Sequence, residues 1–333
     1  MSVNVQALGK QTLKLILKQK AVIAIGVMLI VMLFSDSNFY TQRNIVNVLR
    51  DASPNLIIAF GVTLVVICRG CDLSVGSVMS LSGILAIQMV NSGMNMYLAM
   101  LLATLSGSVV GFVNGFLVVQ QKTEAFIITL GMGMLVKGVS LQLTNANPVP
   151  ARSPEFMNVS NNILIRVGGF SIPNIVILMI LLGIFAYLFM RFTSFGRNCY
   201  ALGGDYEVAE HSGINVIRTK WLAFVLSGTF AAFAGVLNAS QMNTGSPIYG
   251  DAIPLMVNCG VVIGGTSFAG GIGGIGYSFL GIMVMELLKN CMGSFRIGTF
   301  SIDRYYQNLI LGIVIVAIIA MDCYAIKRKK EDV

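Results

Sequence analysis

The sequence predicts an all-α polytopic membrane protein of about ten transmembrane helices, and three observations predict it. Of 333 residues, 56% are hydrophobic and only 11% are charged. Soluble domains run at roughly 45–50% and about 25%, so this chain has too little polar surface to cover a water-soluble globule. Apolar runs near the ~20 residues that cross a bilayer recur along the whole chain. Lys and Arg concentrate on alternate connections between those runs, as the positive-inside rule requires.

The first run, 21–34, follows Lys10, Lys14, Lys18 and Lys20. A cleaved signal peptide begins in the same way, but here the chain continues Ser35-Asp36-Ser37-Asn38 with no small-x-small site. It therefore reads as an uncleaved first helix. Runs follow at 54–67, 73–90, 96–119, 125–143 and 173–190, then, after a polar stretch, at 221–239, 253–263, 268–288 and 305–325. Several contain Gly or Ser and the eighth is short, which the bilayer tolerates where neighbouring helices bury the broken backbone.

With the amino terminus inside and ten crossings, the inner side receives Lys10, Lys14, Lys18, Lys20, Arg69, Lys122, Arg191, Arg197, Arg218, Lys220 and the basic tail 327–330, a total of 14. The outer side receives six: Arg43, Arg50, Arg152, Arg166, Arg296 and Arg304. An odd number of crossings would swap several loops and spoil this bias. Both termini are thus expected in the cytoplasm, with the chain in the inner (plasma) membrane. The net charge of +8 is accounted for by orientation rather than by nucleic-acid binding. The chain reads as one transmembrane domain, 1–333, with an outer loop at about 144–172 and an inner loop at about 191–220. The second to fifth spans run opposite to the seventh to tenth, as an inverted repeat requires. Only the Gly/Ser-rich breaks at 70–76 and 264–271 hint at similarity between the halves.

The inner loop carries Gly203, Gly204, Asp205, Glu207, Glu210, Ser212 and Gly213. Asp205 is placed to cap a helix of about two turns, with Glu207 in the favourable first turn and Gly213 at its end. Two readings remain open: a surface helix resting on the membrane, or a docking element for a soluble partner. In Gly70-Cys71-Asp72-Leu73-Ser74-Val75-Gly76-Ser77, Asp72 is expected near the membrane edge as the N-cap of the third helix. The competing reading puts it on a solute pathway, because ionisable groups in membranes are functional suspects. The glycine-dense stretch 264–274 lacks the Gly-Lys-Ser/Thr ending of a phosphate loop, so it suits close helix packing or an unwound backbone. Asn114, Thr129, Lys137, Asn258, Glu286 and Asn308 are polar residues inside the runs, each suited to bond a neighbouring helix.

Catalytic and metal signatures are missing. There is no HExxH, no GxSxG and only one histidine, His211. Cys68-Arg-Gly-Cys71 has CxxC spacing, but no second pair or His cluster completes a metal site, and Cys as a small apolar filler is the simpler reading. No Arg row or TVGYG-like filter points to a voltage sensor or potassium channel.

Taken together, these segments resemble the membrane subunit of ribose-type sugar ABC importers, in the wider branched-chain amino acid and sugar permease superfamily. The resemblance runs from about Phe39 to Ala320. It rests on Asn44 to Arg50, Asp72-Leu73-Ser74-Val75-Gly76-Ser77, Asn114-Gly115, Ala125-Phe126-Ile127 with Thr129-Leu130-Gly131-Met132, Gly196-Arg197 to Gly204 with Ser212-Gly213-Ile214-Asn215-Val216, and Gly264-Gly265-Thr266-Ser267 with Gly270-Gly271. The resemblance implies a type II ABC importer-like permease that binds no cofactor and is not an enzyme. It also implies a homodimer, or a heterodimer with a second permease, on which a pair of ATP-binding subunits docks near 205–212 and an extracytoplasmic sugar-binding protein docks outside. Asp72, Ser74, Asn114, Phe126, Thr129, Asn258, Thr266 and Ser267 are the candidate pathway residues. The chain departs from the family pattern at Pro254, where an acid is usual, at Glu124, where proline is common, and at Lys137, where arginine is common. These departures fit pairing with a second, different permease.

An ion-gradient-driven secondary transporter is the alternative, and it predicts carboxylates at mid-span. Asp72, Glu124 and Asp251 are expected near span ends, leaving only Glu286 embedded. A membrane receptor or scaffold gives no reason for glycine breaks in both halves.

Overall fold

The computed structural model describes residues 20–33, 37–121, 123–294, 296–297, 300–301, 303, 306–307, 309–314 and 316. Helix α1 spans Lys20–Leu33, α2 Gln42–Ile67, α3 Val75–Asn91, α4 Met96–Gln120 and α5 Ala125–Thr144. After an outer segment come α7 (Asn174–Phe192), α8 (Ser194–Gly204), α9 (Tyr206–His211), α10 (Val216–Met242), α11 (Ile253–Gly264) and α12 (Ile275–Ser294). Among the described residues, six helices are long and apolar enough to cross a membrane: α2, α4, α5, α7, α10 and α12. Parts of α1 and all of α3 and α11 are shorter apolar helices. The expected tenth run, with Asn308 and Cys323, lies largely outside the described residues, as do Lys122, Arg304, the basic tail and the lysines before Lys20.

α2 and α10 form the centre of the bundle. α10 packs along α4, α3 and α2, and α12 packs on α2 and α11. The centre is closed by Leu56, Phe60, Ile67, Phe224 and Ile282, all fully buried. α4, α5 and α7 lie outside and expose large apolar side chains such as Leu101, Phe116, Leu135, Leu181 and Phe185. In water such faces would drive aggregation; in a bilayer they are already solvated.

Several boundaries differ from the sequence expectation; the ninth run, expected at 268–288, is helical only from Ile275 and continues to Ser294 as α12. The 44–50 stretch does not precede the second span but forms its first turns, and α2 runs unbroken through Pro54. Thr41 starts it by accepting from the Asn44 N–H at 3.3 Å. Proline inside a helix removes one bond to the preceding turn, which 26 residues of surrounding helix absorb. Likewise α10 begins at Val216, capped by Asn215 on the Arg218 N–H at 2.9 Å.

The fold is not purely helical. The outer segment holds a two-turn helix, α6 (Pro154–Asn161), capped by Ser153, and a hairpin of β2 (Ile163–Val167) with β3 (Phe170–Pro173). β1 (Val149–Pro150) pairs with β4 (Thr244–Gly245), and β5 (Arg296–Ile297) with β6 (Phe300–Ser301). These pairs satisfy backbone groups in connections. Ser160 on α6 donates to the Leu237 carbonyl at 2.7 Å, seating the outer segment on α10.

Candidate functional site

The break between α2 and α3 turns inward. Cys68 closes α2, Arg69 takes a left-handed conformation (φ 55°), and 70–74 run into the bundle. Asp72 is therefore buried inside the bundle and is not the N-cap of α3; that position is Ser74, which makes no side-chain cap bond. Asp72 is 0% exposed. Its carboxylate instead accepts from donors two residues ahead, an Asx-turn habit that holds it away from the helix start. Oδ1 takes the Ser74 N–H at 3.0 Å and the Ser74 hydroxyl at 2.7 Å, and Oδ2 takes the Ser227 hydroxyl of α10 at 2.8 Å.

Four other candidates meet around this carboxylate. Ser74 Oγ takes an Asn114 side-chain N–H at 2.9 Å. Thr129 Oγ1 accepts from the Leu73 N–H at 3.1 Å and donates to the Ala125 carbonyl at 2.8 Å. Asn258 Nδ2 donates to the Asp72 carbonyl at 3.1 Å, and its oxygen takes the Cys71 thiol at 3.5 Å. The knot thus ties α3, α4, α5, α10 and α11 together. Asn114 Oδ1 is buried there without a hydrogen-bond partner. Three candidates lie elsewhere. Thr266 sits 3.4 Å from Ser278, itself 2.6 Å from Thr63. Ser267 accepts from the Ala269 N–H within its own turn. Phe126 is on the outer face of α5 at 51% exposure.

A second junction lies where α2 ends. The inner loop is two helices rather than one flanked by glycines. Thr193 caps α8 on the Gly196 N–H, and Asp205 caps α9 on the Val208 N–H at 3.1 Å. Gly213, at φ +80°, ends α9: its N–H meets the Glu210 carbonyl and the Ile214 N–H the Ala209 carbonyl, both backbone bonds that a left-handed residue permits. Glu207, Glu210 and Ser212 are exposed, while Gly203 is buried. A Cβ on Gly203 would run into the Ile67 carbonyl and the Gly271 backbone. The Gly271 N–H in turn bonds that same Ile67 carbonyl at 3.0 Å. Arg69 donates to the Gly203 and Gly204 carbonyls, the first at 2.8 Å. The Tyr200 hydroxyl donates to the Gly273 carbonyl at 3.0 Å, and burial pushes its phenol above the usual range, so it stays a donor. The three glycine-bearing motifs thus meet at one end of the bundle.

Among the described residues two ion pairs form. Lys289 lies 3.3 Å from Glu286, which also takes an Asn55 side-chain N–H at 2.7 Å. Lys137 on α5 meets Asp251 at 2.8 Å. No local pattern marks this second pair, or Ser227 and Arg69 as network members, because each partner lies more than a hundred residues away.

Residues 44–319 match the family described as the branched-chain amino acid transport system / permease component. The chain belongs to that permease family. It is 32% identical to the ribose import permease protein RbsC of Escherichia coli strain K12 over 308 residues, covering 92% of this chain and 94% of the relative. It is 33% identical to the RbsC of Bacillus subtilis strain 168, covering 92% of each. The galactose/methyl galactoside import permease protein MglC of E. coli strain K12 is 27% identical, covering 97% of this chain and 99% of the relative. No solved structure matches. This permease is a multi-pass membrane protein and the transport component of an importer, not an enzyme. Membership decides against the ion-gradient-driven alternative and the scaffold reading.

Proposed function

We propose that this permease carries a neutral sugar of the pentose or hexose class inward, as one half of an ATP-driven importer. The importers named among its relatives carry ribose, galactose and allose, which supports the substrate class. The reading takes the chain as a single permease domain of ten spans with type II arrangement, inverted halves and both termini in the cytoplasm. It pairs with a second copy or a second permease, takes a pair of ATP-binding subunits at 203–213, and receives solute from an extracytoplasmic binding protein. The Asp72 knot, with Thr266 and Ser267, then lies beside the pathway and Phe126 on its flank.

One observation carries the mechanism: Gly203 packs directly on Ile67 and Gly271. A force on α9 and α8 from an ATP-binding subunit has no slack before it reaches the end of α2 and the 265–274 turn. Rigid contact of this kind suits coupled rocking of helices.

The test is ATP-dependent uptake of radiolabelled ribose, galactose and allose by proteoliposomes holding the permease with its ATP-binding and solute-binding partners. Uptake needing ATP and the binding protein supports the reading. Uptake by the permease alone under an ion gradient overturns it. Gly203→Val is expected to leave ATP hydrolysis running while uptake stops.

A further inference from the structure

The Lys137–Asp251 pair stands at a depth where exposed charge is costly. Lys137 lies twelve residues after Ala125 and seven before Thr144 on α5, which is about 18 Å and about 10 Å of helix. Both distances fall inside a hydrocarbon layer of about 30 Å. Asp251 is carried to that depth by the 246–252 segment, which dips into the bundle. The Gly250 N–H is bonded to Ser80 of α3 at 3.0 Å, and Gly250 packs on Gly76 at the start of the same helix. Yet the two side chains remain 37% and 47% exposed. Lysine alone can extend toward an interface, but a short aspartate cannot, and here the ammonium is held by the carboxylate at 2.8 Å.

The lipid-like face of the same molecule is different. At mid-depth α7 exposes Ile180, Leu181, Ile184 and Phe185 and no charge. Charged residues within spans face a bundle interior or a water-filled cavity, so the α5 face with Lys137 and Asp251 belongs to an aqueous surface.

We propose that this pair lines the translocation passage and contacts the passing solute directly. This rests on the importer reading above and adds the chemistry of one contact. Among the described residues, only one Asp251 oxygen and one ammonium proton are engaged, by each other. The pair therefore offers further donors and an acceptor side by side, matching vicinal hydroxyls. It is internally neutral, so it holds a neutral polyol without attracting a counter-ion.

Two measurements test it. Lys137→Cys and Ile184→Cys are treated in membranes with a charged, membrane-impermeant thiol reagent, with the unsubstituted protein as background. Reaction at 137 and none at 184 is expected. Equal silence at both means lipid or a second subunit covers the pair, and overturns the proposal. This labelling needs no sugar, so it stands apart from any failure of uptake, which would instead strike the importer reading. In the assembled transporter, Lys137→Met and Asp251→Asn, checked for extracted yield and monodispersity, are expected to lower uptake of ribose, galactose or allose at limiting concentration by about tenfold or more, the scale of lost charged hydrogen bonds. The swapped pair Lys137→Asp with Asp251→Lys is expected to recover part of it. Uptake unchanged in both single variants would remove the solute contact even if 137 reacts.

Discussion

Asp72 shows what one residue contributes when its partners come from several helices. Three donors converge on its carboxylate, and two of them, the hydroxyls of Ser74 and Ser227, can rotate to other acceptors. The Ser74 N–H cannot. Asp72→Ala is therefore expected to strand a buried amide and cost about 1–3 kcal/mol. Asp72→Asn keeps an oxygen for the N–H and offers its amide to Ser227, which then accepts, so its loss should be smaller. Thermal unfolding of the detergent-extracted protein should rank wild type, Asn and Ala in falling order; an alanine variant as stable as wild type would show that the carboxylate is not needed. The sequence marked Asn114, Thr129 and Asn258 individually, because polar residues in apolar runs stand out one at a time, and Asp72 and Ser74 at the break between two runs. Linear spacing shows where a run stops. It does not show that the chain then turns back into the bundle.

Helix ends are the part of an element most legible in sequence, since caps act over three or four residues. Asp205 and Gly213 were readable as the bounds of α9 for that reason, and Thr193 was not singled out as the start of α8. A six-residue helix has few internal bonds, so each cap is a large share of its stability. Asp205→Ala should cost about 1 kcal/mol locally. On the importer reading, it should lower the amount of ATP-binding subunit that co-purifies, with Asp205→Asn restoring it because asparagine caps equally well. Gly213→Val should act in the same direction, since a β-branched residue at φ +80° is strained. Co-purification unchanged in both variants would show that α9 is not gripped by that partner. What no local rule reveals is the packing of Gly203 against Ile67 and Gly271, which joins three segments far apart in the chain.

For the whole molecule, hydropathy found most spans because a bilayer demands length and apolarity of each one separately. The order of helices around α2 and α10, and the dipping of 246–252 beneath α3, depend on contacts between distant segments and were not legible. Orientation rests on charge alone and has a direct check. Glu207 on α9 and Leu164 on the β2–β3 hairpin are both exposed. They belong to opposite ends of the bundle: α9 follows directly on α8, whose Gly203 carbonyl takes Arg69 at the end of α2, while the hairpin adjoins the beginning of α2, where the Gln42 side-chain N–H bonds the Gly168 carbonyl at 3.1 Å. A cysteine at 164 should react with an impermeant thiol reagent on intact cells. A cysteine at 207 should react only once the membrane is opened. The reverse pattern would put α9 outside, where no ATP-binding subunit can reach it, and the coupling of Gly203 to nucleotide hydrolysis would fall with it.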